Sequence, residues 1–197
     1  MFMLKCYSKK LIVAGCDEAG RGSLVGPVVA ASVILPKDFN CNIINDSKLL
    51  SEKKRNNAYD IIVNKSISYG IGIIDEKKID KINILNASIL AMHKAISKLE
   101  ITPELLLIDG NHFKKYKSVQ HRCIVKGDKK FISIAAASII AKVFRDKLMI
   151  KLHNEFNDYK WNNNKGYPTK FHRKMIEKLG PSVYHRKSFQ LTKKIDK

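Results

Sequence analysis

The run Leu11-Ile12-Val13-Ala14-Gly15-Cys16 is uncharged and passes without a break into Asp17 and Glu18. A short apolar run bounded by turn residues reads as a buried strand, so two carboxylates are predicted at the end of a strand that belongs in a core. Asp109 follows the apolar Leu105-Leu106-Leu107-Ile108 in the same way. Burying an unpaired carboxylate is costly, so such a chain must give these acids a partner. If the two strands are neighbours, three carboxylates meet at one sheet edge and repel one another unless a cation sits between them. All-oxygen ligands suit a hard divalent ion such as Mg²⁺ or Mn²⁺. The alternative is that the acids cap turns or pair with lysines, and spacing alone leaves both open. Asp128, in Val125-Lys126-Gly127-Asp128, is a candidate fourth ligand.

The remaining pattern gives an α/β chain. Val28 to Leu35 reads as a second strand after the turn Gly20-Arg21-Gly22, forming a hairpin with the first. Ser51 opens a capped helix to Val63, Ser66 to Ile74 is a strand weakened by Gly70 and Gly72, and Asn83 to Leu99 is an amphipathic helix. Val119 to Val125 is an edge strand and Phe131 to Phe156 a long helix. On that helix Ser138, Lys142, Arg145 and Asp146 share one polar stripe on an otherwise apolar surface. Trp161 to Gly166 reads as a loop. Thr169 then opens a short helix with Phe171, Met175 and Leu179 inward, closed by Gly180-Pro181. The order of elements predicts a sheet covered by helices on both faces, with a small helical C-terminal part. Residues 1–156 are assigned to the core and 157–197 to a helical segment packed on it, one structural domain overall.

Charge narrows the partner. The 197 residues hold 37 Lys plus Arg against 18 Asp plus Glu, a net +19, which points to a polyanion. Residues 1–108 carry 15 basic and 11 acidic side chains, whereas residues 109–197 carry 22 and 7, so the C-terminal half is the predicted electrostatic footprint. The two uncharged apolar stretches, Gly26 to Pro36 and Phe131 to Ala141, are 11 residues each, short of the roughly 20 that cross a bilayer. No membrane association is expected, and the chain reads as cytoplasmic. Cys6, Cys16, Cys41 and Cys123 match no zinc or redox spacing and read as ordinary thiols.

Seven motifs together resemble the type 2 ribonucleases H, specifically bacterial ribonuclease HII. In order they are Asp17-Glu18-Ala19-Gly20-Arg21-Gly22, Asp46-Ser47-Lys48, Ile108-Asp109-Gly110, Lys126-Gly127-Asp128, the helix Ala136 to Asp146, Lys165-Gly166-Tyr167-Pro168-Thr169 with His172, and His185-Arg186-Lys187-Ser188-Phe189. The resemblance implies a ribonuclease H-like three-layer fold, a mixed five-stranded sheet flanked by helices. It implies an endonuclease that hydrolyses the RNA strand of RNA–DNA hybrids, and cuts 5′ of single ribonucleotides in duplex DNA, leaving 3′-OH and 5′-phosphate ends. Asp17, Glu18, Asp109 and Asp128 become the catalytic, metal-binding set for Mn²⁺ or Mg²⁺, with one ion bound without substrate and two with it. Leu49 stands where relatives often carry a second Lys. The segment before the first strand is too short for the extra domain of ribonuclease HIII, and a monomer is expected.

The same resemblance makes Gly20, Arg21 and Gly22 readers of the ribose 2′-OH, the one group that marks RNA at a given site. A tight hairpin needing positive φ would demand the same glycines. Ser138, Lys142 and Lys48 are expected on phosphates, although a solvated face with i, i+4 pairing would place Ser138 and Lys142 similarly. Tyr167 is expected to stack on the neighbouring sugar, and His172 and His185 are left outside the metal site. A basic RNA-binding module without catalysis would not need four acids at strand ends. Another metal-dependent nuclease of the ribonuclease H-like superfamily would differ in preferring plain duplex DNA.

Overall fold

A computed structural model describes residues 4–41, 43–44 and 50–192. The sequence motif around Asp46 and Ser47, with Lys48 and Leu49, lies outside them. The strands are β1 (Val13–Ala19), β2 (Val28–Ile34), β3 (Ser68–Ile74), β4 (Leu105–Asp109) and β5 (Gln120–Ile124); the helices are α1 (Glu52–Lys65), α2 (Glu76–Ile96), α3 (Ile132–Glu155), α4 (Trp161–Asn164) and α5 (Lys170–Leu179). The sheet runs in the order β3-β2-β1-β4-β5. β1 is antiparallel to β2 and parallel to β4, β2 is antiparallel to β3, and β4 is parallel to β5. The mixed five-stranded sheet and the β1–β2 hairpin agree with the sequence reading.

Period-two alternation sorts the strand side chains into two cores. Ala14, Cys16, Ala30, Leu106 and Ile108 pack beneath α2 with Ala87, Ala91 and Met92. Ala19, Ala31 and Val33 face α1 and α3, where Ala58, Ile62 and the run Ala135-Ala136-Ala137 meet them. The result is three layers, with α2 on one side and α1 and α3 on the other. Alanines on α3 let its backbone lie close to the sheet, and each fully buried Ile or Leu contributes about 1.5–3 kcal/mol. A third cluster joins the C-terminal segment to this frame through Leu24, Val25, Met149, Tyr159, Trp161 and Ile176.

Local chemistry explains most element ends. Ser51 caps α1 by accepting from the Lys54 N–H, and Thr169 caps α5 by accepting from the His172 N–H. The helix expected from Asn83 begins earlier: Asp75 caps a first segment, and Asn83, with φ 63°, breaks it before a second segment starts. That second segment is the amphipathic pattern legible in the sequence; the first is held by tertiary contacts such as the buried Ile79. The expected loop after Trp161 is the short helix α4, anchored because Trp161 is fully buried. On α5 the inward face is corrected as well. His172 and Ile176 are buried, while Phe171 is 39% exposed beneath the Lys160 ammonium and Leu179 is 47% exposed. A buried histidine network captures this helix and sets its rotation.

Gly70 and Gly72 do not weaken β3 but let α2 approach it. A Cβ at Gly72 would lie 1.9 Å from the Ala91 carbonyl oxygen, and one at Gly70 2.1 Å from that of Ala95. Gly72→Ala is therefore expected to lower stability by about 3 kcal/mol in urea unfolding, because a helix backbone must move. A loss under about 0.5 kcal/mol, the range of a neutral surface change, would contradict this packing.

Candidate active site

In parallel strands the same ends lie together, and Cys16 pairs with Ile108. The next residues, Asp17 and Asp109, thus stand side by side on adjacent strands, and both point to the α3 face. Glu18 alternates to the α2 face. Asp17 is 6% exposed and accepts a hydrogen bond from the Glu18 N–H at 2.7 Å and another from the Ser138 hydroxyl of α3. Burial, then the charges of Glu18 and Asp109, push its carboxyl well above the usual range, and the two hydrogen bonds pull it back. Asp109 accepts from the Gly127 N–H at 2.7 Å. The repulsion expected from the sequence is present.

Asp17, Glu18, Gly20, Arg21, Gly22, Asp109, Ser138, Lys142 and Tyr167 line one cleft of about 250 Å³. Nearly all the site residues picked out in the sequence are brought together there. Asp128 is 3% exposed, lies in the turn Gly127–Lys129 and does not line the cleft. Arg21 donates to Glu18 at 3.1 Å across the mouth. Lys142 donates to Asp146 at 2.7 Å, an i, i+4 pair of the kind expected of a solvated face, yet its ammonium is also 5.7 Å from the centre of the Tyr167 ring. The i, i+4 pair is present, but the stripe is not a solvated face, since Ser138, Arg145 and Asp146 are buried.

The two turn glycines do different jobs. Gly20 has φ +94°, and a Cβ there would lie 2.0 Å from Arg145 Nε, so the fold itself demands glycine. A Cβ at Gly22 would meet nothing within 4 Å. Gly22 leaves the backbone open toward the cleft.

Sequence reading gave no role to Ser23, Arg145 or Arg186, all buried behind the turn. Arg145 stood on the polar stripe and Arg186 in a motif, but nothing in the sequence placed either beneath Gly20 to Pro27. His172 and His185 are structural. Trp161 Nε1 donates to His172 Nε2 at 3.0 Å, the two Nε2 atoms are 3.2 Å apart, and His172 Nδ1 donates to the Tyr167 carbonyl at 2.9 Å. The Ser182 N–H donates to His185 Nδ1 at 2.9 Å, so His185 carries its proton on Nε2, where it shares the one lone pair of His172 Nε2 with the Trp161 N–H. Both rings are neutral.

All four cysteines are free thiols, and among the described residues no helix is long and apolar enough to cross a membrane.

A mixed five-stranded sheet with carboxylates at the ends of its two inner parallel strands defines the ribonuclease H-like class of nucleases. The structure of ribonuclease HII from Archaeoglobus fulgidus, in a complex with PCNA, superposes with a TM-score of 0.78 at 24% identity, covering 93% of this chain and 98% of that one. A Bst ribonuclease HIII structure in complex with Mn²⁺ gives 0.73 at 18% identity, covering 92% and 68%. The family model for ribonuclease HII matches residues 14–192. Ribonuclease HII of Christiangramia forsetii is 56% identical over 96% of both chains, and that of Bacteroides fragilis 54% identical over 96% of this chain and 94% of the relative. The chain belongs to the ribonuclease HII family and is an endoribonuclease.

Two predictions follow from the geometry. Gly20→Ala should cost about 1–3 kcal/mol of stability through backbone strain while Gly22→Ala leaves the unfolding midpoint unchanged; equal losses at both positions would refute the distinction. Burial holds His172 below its ordinary pKa, and burial together with His172 holds His185 down at about 4. Stability contributed by the neutral pair is complete above about pH 6.5 and is lost as pH falls through about 4. Urea midpoints should drop over that window, and by less in His185→Gln; parallel declines would assign the acid sensitivity to other groups.

Proposed function

We propose that this protein hydrolyses the RNA strand of RNA–DNA hybrids and also cuts duplex DNA on the 5′ side of a single embedded ribonucleotide, leaving 3′-OH and 5′-phosphate ends. The observation that carries the proposal is the side-by-side placement of Asp17 and Asp109, with Glu18 following, in a cleft whose other walls are basic and aromatic. Like charges so close at a buried edge favour a cation. The donors are all oxygen, which fits Mn²⁺ or Mg²⁺. Among the described residues no three His, Cys, Asp or Glu side chains are gathered closely enough to hold an ion by themselves. An open set of this kind suits Mg²⁺, which keeps several waters and binds through one or two carboxylates plus substrate phosphates.

Asp17 and Asp109 would hold ions in common, with Glu18 and Asp128 each contributing on one side. Ions held by these carboxylates, one without substrate and two with it, would supply Lewis acidity for the attacking water and for charge on the leaving 3′ oxygen. The chain's own groups do the positioning. The open backbone at Gly22, with Gly20 and Arg21, approaches the ribose and reads its 2′-OH. Tyr167 stacks on the next sugar, while Ser138 and Lys142 contact phosphates; Lys48 is proposed for the same task from outside the described residues. The net +19 favours any polyanion, so selectivity rests on this turn and ring. Free thiols and ordinary cysteine spacing fit a cytoplasmic enzyme, and we take it to act as a monomer.

Asp109→Asn keeps the shape but removes charge from the shared edge, and should lower turnover about 1000-fold, since a lost ligand costs several kcal/mol in the transition state. Hybrid affinity, followed by fluorescence anisotropy, should survive. Turnover within tenfold of wild type would remove Asp109 from the catalytic set. Cutting plain duplex DNA as fast as hybrid would point instead to a different nuclease of the same superfamily.

A further inference from the structure

Arg145 is fully buried, and its four hydrogen bonds all go to uncharged oxygens. Nε donates to the Pro27 carbonyl at 2.9 Å and Nη1 to the Lys165 carbonyl at 2.9 Å, while Nη2 donates to Ser23 Oγ at 2.7 Å and the Val25 carbonyl at 3.1 Å. Ser23 Oγ in turn donates to the same Lys165 carbonyl at 3.2 Å. Three of these acceptors belong to the segment after β1, and the fourth lies two residues before Tyr167. The guanidinium is also 5.5 Å from the centre of the Tyr167 ring, and its inner end fills the space a Cβ at Gly20 would need. One side chain therefore touches both the turn and the ring that the proposed function assigns to reading a single ribonucleotide.

A buried cation with no carboxylate on its fork is an expensive way to fill space; an apolar side chain of similar volume commonly does so at equal or greater stability. What an apolar group lacks is a rigid planar fork with five donors, which fixes the distance and angle between the segments it bridges. We propose that Arg145, with Ser23, is a positioning residue that sets the spacing between the Gly20-Arg21-Gly22 backbone and the Tyr167 ring, and thereby places the scissile phosphate of a lone ribonucleotide. This rests on the ribose-reading role of that turn and ring. Lysine cannot replace the fork, because its ammonium is a point charge on a flexible stem. Misplacement of a reacting group by about 1 Å costs about 100-fold in rate, so the loss should appear in kcat and leave substrate affinity almost unchanged.

The test is a pair of double-mutant cycles, Arg145→Lys with Tyr167→Ala and Ser23→Ala with Tyr167→Ala. Each variant is assayed for kcat and KM on DNA duplex containing one ribonucleotide, alongside thermal unfolding. Residues acting through a common partner are non-additive. Each positioning variant should lower kcat, Arg145→Lys by about 100-fold, with KM nearly constant, and add little once Tyr167 is already Ala. Simple packing loss would instead lower the melting temperature and add in full to the Tyr167 effect. That additivity, or wild-type kcat in a folded Arg145→Lys variant, would overturn the proposal. If Arg145→Lys does not fold, the Ser23→Ala cycle decides by the same criterion, because it cuts the bridge without stranding a charge. Wild-type enzyme that cuts long hybrids but not the lone ribonucleotide would refute the ribose-reading role itself, and the proposal with it.

Discussion

The parallel pairing of β1 with β4 is the constraint on which the site depends. Only a parallel pair brings two strand ends to one edge, so two apolar runs that each finish in an acid must place Asp17 beside Asp109. The apolar burial along both strands outweighs the repulsion at their tips. Burial, and then the charges of Glu18 and Asp109, push the Asp17 carboxyl up, and the hydrogen bonds from Ser138 and from the backbone of Glu18 offset this only in part. α3 completes the arrangement. It runs alongside β1, bringing Ser138 to Asp17 and, two turns later, Arg145 to Gly20.

The second requirement is to satisfy a largely buried segment that has no regular structure. Past the exposed Arg21 and Gly22, residues 23–27 are buried but form no ladder, and buried backbone acceptors must find donors. Two arginines supply them. Arg186 donates to the Gly26 carbonyl from Nε at 3.0 Å and Nη2 at 2.8 Å, and from Nη1 to the Arg21 carbonyl at 3.0 Å, while Arg145 holds Val25 and Pro27 from below. Asp80 of α2 accepts from the backbone of Lys187 and Ser188 and so anchors the segment that carries Arg186. The C-terminal segment is thus part of the turn's support, and the histidine pair extends that support to Tyr167.

Charge is distributed on two scales. Over the whole surface a net +19 attracts polyanions without discrimination. Inside the cleft three carboxylates converge: Arg21 faces Glu18, whereas Asp17 is met by the Ser138 hydroxyl and the Glu18 N–H and Asp109 by the Gly127 N–H. Long-range attraction and local selection are carried by different residues.

Much of this was legible along the chain. The apolar runs ending in Asp17 and Asp109, the caps at Ser51 and Thr169, the polar stripe on α3 and the glycine turn are local patterns, and local patterns follow from periodicity and side-chain chemistry alone. The sequence by itself therefore determined the strands, most of the helices and the acids that end two of the strands, whereas Tyr167 and the glycine turn joined them through the family resemblance and the fold. Other features depended on contacts between residues far apart in the chain. The rotation of α5 about His172 rather than Phe171, the early start of α2, the use of Gly20 by Arg145 and the exclusion of Asp128 from the cleft wall were decided only by tertiary structure. The physical reason is that hydrogen bonding across 120 or more residues, as from Arg145 to Val25, leaves no periodic trace in the sequence.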